Sequence, residues 1–471
     1  MAGVASAACY AATPLPKVTP LPITADSYPL LSATKIFQPI DLNKSGYVEQ
    51  EFIISGTANT YDWNADGSLV VKKENAPYAT RILVHRPASN SKFSGHVLVE
   101  LMNPARRFDW AMMEGYTRDS LMERGDAWVG ITMPASVDAL KKFNPTRYPA
   151  SLGFANPDPS ETCAAGRGNQ QATSESEDGL RWDMISQVGA ALKNPKSGIG
   201  LNAKYLYMTS QGADVLTYAA AVETNAKLEN GKPVYDGFLV KTPGGVSKIR
   251  RCAPAIPAND PRQTVHNIGV PVIEVVAQGE IGPAYQRPDS DDPKDPFRIY
   301  EVAGAAHIDK WAYLAMPVME DQQKATGAPG QGNPAWPFNV KCEPEIPLQG
   351  HPLLKYIFDG AVVNLEQWAS KSTPAPKADR ITMKDGVASG GVRNPYVDVP
   401  AATYTTTTPG PGTCRELGTT TPYDLAKMDS LYGNHKAYVA KVDAATDQML
   451  KARWITKTDA QKIKAEAAAR Q

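Results

Sequence analysis

The sequence predicts an α/β protein built on a mostly parallel β-sheet of eight strands flanked by helices. Eight short runs of apolar and β-branched residues are bounded by turn residues, which is typical of strands. Turns alone separate the early runs, whereas helical patterns at 179–193 and 213–228 lie between later ones. Alternating strands and helices favour parallel pairing, and the early runs favour an antiparallel edge. The eight runs lie at 51–57, 80–85, 96–101, 127–133, 205–209, 237–242, 272–277 and 297–302.

Composition limits the classes of function. The 471 residues are 42% hydrophobic and 21% charged, which excludes wholesale disorder. Lys and Arg number 49, as do Asp and Glu, so no basic excess favours nucleic-acid binding. The sequence contains no run of about 18 apolar residues, so it predicts no membrane-spanning helix. The 39 Pro and 36 Gly indicate that much of the chain is loop.

Changes of composition divide the chain into three parts. Residues 1–40 form an Ala- and Pro-rich arm or the remnant of an export signal, and residues 41–375 form the predicted core. Residues 376–471 are a Thr/Pro/Gly-rich and then helical extension packed on the core, with a separate binding module as the alternative. Long insertions near 134–178 and 316–352 are predicted lids, because long loops in compact domains commonly cover a site.

The five cysteines are widely spaced and contain no CxxC pair, which argues against a structural zinc site. Four of them could form two disulfides in an oxidising compartment, but their spacing leaves the pairing open. Small-residue triplets at the N-terminus favour a periplasmic or secreted protein, with a cytoplasmic one as the alternative. The cysteines are Cys9, Cys163, Cys252, Cys342 and Cys414.

Ser210 is the predicted nucleophile. Ligands of parallel sheets bind at the carboxyl ends of the strands, so the residues that follow each run are the candidates. The fifth run leads through Ser210, Gln211 and Gly212 into a helical pattern, the setting of a G-x-S-x-G nucleophile elbow. Met208 stands where that motif has its first Gly. The simpler interpretation of Ser210 is a helix N-cap.

A base and an acid follow two other runs. His307 lies just past the eighth run, behind small residues, and could serve Ser210 as general base; a surface histidine is the alternative. Glu280 lies just past the seventh run and is the predicted acid, with a solvated carboxylate as the alternative. Three rival acids lie in the Pro-rich loop that follows: Asp289, Asp291 and Asp292.

An oxyanion hole would take one backbone N–H from Gln211, the residue after the nucleophile. Asn103, in the loop after the third run, is the candidate for the second donor. Arg107 and Trp110 in the same loop are predicted to bind substrate, with solvated loop residues as the alternative. No phosphate-binding Gly loop is present, and neither a cofactor nor a metal is predicted.

Eight segments spread over most of the chain carry a resemblance to known proteins: 46–49 (GYVE), 55–58 (SGTA), 78–84 (YATRILV), 99–104 (VELMNP), 210–211 (SQ), 301–307 (EVAGAAH), 390–393 (GGVR) and 397–400 (VDVP). On these segments the sequence resembles the α/β-hydrolase superfamily, and more specifically the bacterial "alpha/beta hydrolase domain" family of about this length. The resemblance implies a serine hydrolase in which Ser210, Glu280 and His307 are the nucleophile, acid and base. The sequence departs from the pattern at Met208 and in an acid loop without Asp.

These observations predict an α/β-hydrolase fold with lids and a serine esterase that forms an acyl-enzyme on a small-molecule ester. An amidase or acyltransferase with the same triad is one alternative. A catalytically inactive binding protein of this fold is another, motivated by Met208. The sequence does not indicate an oligomeric state.

Overall fold

A ten-stranded sheet lies at the centre of the computed structural model, which describes residues 12–163, 175–222, 226–242, 244–282, 287–328, 342, 349–384, 387–410 and 412–470. Its strands are β1 (Lys17–Leu21), β2 (Tyr47–Trp63), β3 (Leu69–Pro87), β4 (His96–Leu101), β5 (Ala127–Ile131), β6 (Gly153–Phe154), β7 (Tyr205–Gln211), β8 (Gly237–Lys241), β9 (Val272–Ala277) and β10 (Phe297–Val302). The spatial order is β1-β2-β3-β5-β4-β7-β8-β9-β10, and β6 pairs with β3. Strands β4, β5 and β7 to β10 pair in parallel, and β1, β2 and β3 form an antiparallel edge. The predicted fold class is confirmed.

The predicted number of strands was wrong by two. Each of the eight predicted runs lies wholly or mostly within an observed strand. Strands β1 and β6, which were not predicted, are the other two strands of the sheet. Strand β1 contains Pro20, which cannot donate to a ladder and is confined to edges, so it gives a weak strand pattern. Strand β6 has only two residues, too few for any alternation to be recognised.

Helices flank the sheet. They are α1 (Met112–Arg124), α2 (Val137–Phe143), α3 (Arg181–Lys193), α4 (Ala213–Thr217), α5 (Lys310–Leu314), α6 (Met319–Thr326), α7 (Lys355–Lys371), α8 (Pro395–Asp398), α9 (Leu425–Tyr432), α10 (His435–Lys451) and α11 (Lys457–Ala469). Helix α4 continues as a π-helical segment through Tyr218–Val222, and residues 226–228, the last part of the helix predicted at 213–228, are not helical. Two shorter antiparallel pairs lie outside this sheet: β11 (Thr382–Lys384) with β12 (Val387–Ser389), and β13 (Ala402–Thr405) with β14 (Thr419–Pro422).

Glu100 fixes α1 to the end of β4. Its buried carboxyl group accepts hydrogen bonds from the backbone N–H groups of Met113 and Glu114 and from Trp128 Nε1, each at 2.9 Å. The first turn of a helix leaves such N–H groups without partners, and an acidic side chain complements the positive end of the helix dipole. Burial raises the pKa of Glu100 to about 8 in spite of these donors.

The C-terminal extension packs on the core through several contacts. Trp454, between α10 and α11, lies edge-on against Tyr300 of β10 with ring centroids 4.9 Å apart. Its carbonyl oxygen lies only 2.2 Å from where a Cβ on Gly360 would stand, so α7 needs a glycine there. Asn364 on the same helix donates to the carbonyl of Arg453 at 2.8 Å. These contacts place the segment between α10 and α11 against α7 and β10.

Two disulfides tie the insertions to other parts of the chain. Cys163, in the first insertion, is bonded to Cys252, and Cys342, in the second, is bonded to Cys414 of the extension. Much of the predicted lid at 316–352, and residues 164–174 of the predicted lid at 134–178, lie outside the described residues. No helix in the described part of the chain is both long and apolar enough to cross a membrane.

The two disulfides predict a defined count of reactive thiols. Alkylation of the denatured protein without reductant should add one label, because four of the five cysteines are bonded, and alkylation after reduction should add five. The double variant Cys163→Ser, Cys252→Ser should lose roughly 2–4 kcal/mol of unfolding free energy, because the bridge closes a long loop. Intact mass and urea denaturation are the measurements. Three or more labels before reduction would contradict the pairing.

Candidate active site

The carboxyl ends of β7, β9 and β10 bring the predicted site residues to one edge of the sheet. Parallel pairing aligns Ser210 with Val240 of β8, and Ala277 at the end of β9 with Val302 at the end of β10. Glu280 lies in a short 3-10 turn directly after β9, and His307 follows β10 after a turn at Gly304. Glu280 and His307 each lie within a few residues of the end of a strand. Their side chains therefore stay close to the carboxyl ends of the neighbouring strands.

Glu280 and His307 form a close hydrogen-bonded pair. His307 Nδ1 contacts Glu280 Oε1, and the same oxygen accepts from Thr242 Oγ1 at 2.6 Å and lies 3.3 Å from Lys241 Nζ. The other carboxylate oxygen accepts from the backbone N–H of Ala277 at 2.8 Å. With every oxygen occupied by a donor, Glu280 is suited to hold one tautomer of His307, with the proton on Nδ1.

The surroundings of Glu280 keep it ionised. Burial by itself raises the pKa of this carboxyl group, but the charge of Lys241 and the hydrogen bonds from His307 and Thr242 outweigh it, so the pKa falls to about 2. Because the folded pKa is lowered, the stability that this group contributes is present above pH 4.5 and is lost as the pH falls toward 2. Glu280 is therefore a carboxylate throughout the neutral range.

The rival acids lie beside the beginning of β10, at the opposite edge from His307. Asp289 accepts from the backbone N–H of Ile299 at 3.2 Å and faces Arg380, while Asp291 forms ion pairs with Arg298 and Lys377. Asp292 accepts from the N–H of Lys294 within its own turn. Of the four acids considered, only Glu280 contacts His307.

Ser210 does not contact His307 in this structure. Strand β7 continues through Gln211, and the positive φ lies at Gly212 (112°) rather than at the serine. Ser210 is 4% exposed, and its hydroxyl donates to the carbonyl oxygen of Leu101 at 2.7 Å. Successive side chains of a strand point to opposite faces, so an extended β7 directs Ser210 and the next residue to different sides.

The side chain of Gln211 occupies the position next to His307 instead. Its Nε2 lies 2.6 Å from His307 Nε2, and its Oε1 accepts from Asn103 Nδ2 at 3.3 Å. The amide Nε2 of Gln211 is a donor, so His307 Nε2 must accept. This arrangement fits the tautomer of His307 that has its proton on Nδ1. The sequence indicated only the backbone N–H of Gln211 as functional; the extended conformation of β7, which brings its side chain to the site, was not apparent from the motif.

The loop after β4 differs in part from expectation. The backbone N–H of Asn103 donates to the carbonyl of Trp110 at 3.0 Å, so its side-chain Nδ2 is the donor that faces the site. Trp110 is 1% exposed and its Nε1 donates to Ala312 O at 2.8 Å, which places it in the core and not at the rim. Arg107 is exposed on a turn with φ of 62°.

Two polar residues at the end of β8 were missed by the sequence analysis. Lys241 and Thr242 both contact Glu280, and Thr242 has a positive φ of 53°, unusual for a β-branched residue. The only available sequence signal was a lysine at the end of an apolar run. The structure also shows no group of three or more metal-ligating side chains among its described residues.

The polypeptide that carries His307 is held by the second insertion and the extension. Gln349 accepts from the backbone N–H of Ala306 at 3.0 Å and donates to Gly304 O at 2.8 Å. The N–H of Ile308 donates to Glu416 O at 2.9 Å. Both neighbours of His307 are thus fixed by backbone hydrogen bonds to segments outside the sheet.

The chain belongs to a known family. Residues 17–465 match the family described as "Alpha/beta hydrolase domain". This match confirms the predicted family and the α/β-hydrolase fold, and it includes most of the C-terminal extension.

Solved structures give only a faint likeness. One of two fungal esterases from Rhizomucor miehei is 12% identical, with 74% of this chain and 95% of that chain covered and a TM-score of 0.36. A thermostable esterase from Pseudomonas putida is 15% identical, with coverages of 61% and 83% and a TM-score of 0.31. At these values the likeness carries no argument about function. No curated protein matches the chain.

The position of the acid predicts opposite results for two carboxamide variants. Glu280→Gln should lower kcat for a p-nitrophenyl ester by roughly 10³- to 10⁴-fold, the size expected when a triad loses its acid. Asp289→Asn should leave kcat within about twofold, because Asp289 contacts Ile299 of β10 and Arg380, away from His307, although its melting temperature should fall. A loss of kcat in Asp289→Asn with full activity in Glu280→Gln would reverse the assignment.

Proposed function

We propose that the protein is a serine hydrolase that cleaves carboxylic esters through an acyl-enzyme on Ser210. The observation that carries the proposal is the Glu280–His307 pair, which lies at the carboxyl edge of the sheet next to the β7–α4 turn. An acid that is ionised and an imidazole held in one tautomer are what a base for a serine hydroxyl requires. Family membership supports hydrolysis as the reaction class.

Catalysis requires a local rearrangement at the end of β7. Ser210 Oγ must leave the carbonyl of Leu101, and the amide of Gln211 must leave His307 Nε2. Rotation about χ1 of Ser210, with bending of the strand end, would then place Oγ near the freed Nε2. We infer that an entering ester, which competes for the same donors and acceptors, promotes this exchange.

The chemical steps then follow the order of acyl transfer. Ser210 Oγ attacks the ester carbonyl carbon while His307 Nε2 takes its proton, and the imidazolium gives that proton to the leaving alkoxide. Water, deprotonated by His307, attacks the acyl-enzyme, and the carboxylic acid is released as Ser210 recovers its proton. The backbone N–H of Gln211 and Nδ2 of Asn103 are the proposed donors to the oxyanion. An amidase or acyltransferase would use the same groups.

A second candidate is an inactive hydrolase fold that binds a ligand. The specific observation in its favour is that the amide of Gln211 contacts His307 Nε2, the nitrogen that a catalytic serine would contact. The hydroxyl of Ser210 donates instead to the carbonyl oxygen of Leu101. In that case Glu280 and His307 would serve as binding groups. The two candidates differ in whether Ser210 can become a nucleophile.

We also propose that the protein works in an oxidising compartment, the periplasm or the cell exterior. The support is the pair of bridges Cys163–Cys252 and Cys342–Cys414, since disulfides persist in such compartments and are rare in the cytosol. The thiol count described above, carried out on protein from the native host, tests this proposal.

A fluorophosphonate probe should label Ser210. The probe mimics the tetrahedral intermediate and reacts with serines that an adjacent base activates. Peptide mass mapping should find the adduct at Ser210, with no adduct in Ser210→Ala and slow labelling in His307→Ala. Ser186, buried on α3 and hydrogen-bonded to Tyr218, provides the matched control Ser186→Ala, which should label normally. An inert Ser210 in a folded protein would favour the binding candidate.

Removal of the Gln211 side chain should increase activity. Gln211→Ala keeps the backbone N–H but frees His307 Nε2 from the side-chain amide. The reaction then no longer has to break this hydrogen bond. We expect kcat/KM for a small p-nitrophenyl ester to rise roughly fivefold to tenfold. Asn103→Ala, which removes the proposed oxyanion donor, should lower it. A fall of kcat/KM in Gln211→Ala would show that the amide assists the reaction and does not compete with it.

A further inference from the structure

Lys241, the last residue of β8, is a buried cation whose ammonium group lies at the candidate site. Its side chain is 1% exposed. The ammonium group donates to the carbonyl oxygen of His307 at 2.8 Å and to Thr242 Oγ1 at 3.1 Å, and it lies 3.3 Å from Glu280 Oε1. One side chain therefore contacts both members of the acid–base pair, the acid through its carboxylate and the base through its backbone.

The charges around Lys241 explain how a cation is tolerated there. Besides Glu280 and His307 it faces Asp309, whose pKa burial raises to about 6, although the charge of Lys241 acts to lower it. The phenol of Tyr116 faces the same two carboxyl groups, and burial, then Asp309 and Glu280, raise its pKa well above the usual range. A buried ion pair is costly unless its geometry is good and its remaining donors are used, as they are here.

We propose that Lys241 is a positioning residue, which holds the Glu280 carboxylate in a fixed position relative to the backbone of His307. This inference rests on the proposed function, because positioning matters only where His307 acts as a base. A neutral residue at this place could accept or donate one hydrogen bond, but it could not compensate the charge of a carboxylate that burial disfavours. Thr242 assists by donating to the oxygen that Lys241 faces.

A double-mutant cycle separates action through Glu280 from a general structural role. Lys241→Met should lower kcat for a p-nitrophenyl ester on the order of 10- to 100-fold, the size typical of groups that orient a functional histidine from outside, with KM changed less than about threefold. In the Glu280→Gln background the same change should cost less than about threefold, because the carboxylate through which it acts is gone. The double variant removes the charges of Lys241 and Glu280 together, so the Glu280 carboxylate is not left buried without its cation and the test stays valid if Lys241→Met folds poorly.

The matched control is a second buried lysine. Lys355 is 3% exposed, donates to Tyr116 O at 2.7 Å and pairs with Asp359. Lys355→Met should lower the melting temperature while its kcat stays near that of the parent. Lys241→Gln should recover part of the lost kcat, because it can still donate to His307 O without the charge. Equal losses of kcat in both Glu280 backgrounds, or a lower melting temperature with unchanged kcat, would overturn the proposal.

The state of His307 can be followed without turnover. Long-range ¹H–¹⁵N spectra of histidine-labelled protein distinguish the two tautomers, and the signal of His307 is assigned by its absence in His307→Ala. The parent should show the Nδ1-protonated form, and Lys241→Met should show a mixture as the carboxylate loses its fixed orientation. If Ser210 proves inert, the proposed function fails while this spectrum still decides on Lys241. An unchanged tautomer in Lys241→Met would exclude the positioning role.

Discussion

The parallel register of the central strands is the constraint on which the site depends. Strands β7, β8, β9 and β10 are hydrogen-bonded neighbours, so their carboxyl ends lie side by side about 4.8 Å apart. A residue that immediately follows any one of them is within reach of residues that follow the next. Lys241, Glu280 and His307 are distant in sequence, and they meet because each occupies such a position.

Charge burial is the second constraint, and it follows from the first. The edge that collects the strand ends is covered by other segments, so a carboxylate there must find donors or become neutral. Glu280 finds them in Lys241, Thr242, His307 and the backbone of Ala277. These donors keep Glu280 ionised and also restrict the orientation of its carboxylate. Because His307 is hydrogen-bonded to that carboxylate, the orientation of its imidazole is restricted as well.

The segments beyond the sheet complete the site and do not merely cover it. The loop that bears His307 is bonded to Gln349 and Glu416, and Gly279, beside the acid, lies so close to Thr406 O that a Cβ there would stand 2.7 Å from it. The disulfide between Cys342 and Cys414 joins the two segments that supply these contacts. A family match that extends to residue 465 agrees with an extension that belongs to the same structural unit.

Sequence alone predicted eight of the ten strands in the sheet, their mostly parallel pairing, and Glu280 and His307 as residues that meet at the strand ends, with three rival acids left open. These depend on local composition and on the order of elements along the chain, which a single sequence contains. The edge strand β1 and the two-residue strand β6 were not predicted, because neither has a clear apolar pattern. The disulfide pairs and the role of Lys241 needed the fold, since they join residues that no spacing rule relates. The most instructive case is β7: the motif predicts Ser210 at the turn, but whether the strand ends before or after Gln211 depends on its pairing with β8. Because side chains alternate between the faces of an extended strand, the pairing of Gln211 with Lys241 directs the Gln211 side chain, and not that of Ser210, toward His307, and only the tertiary structure decides it.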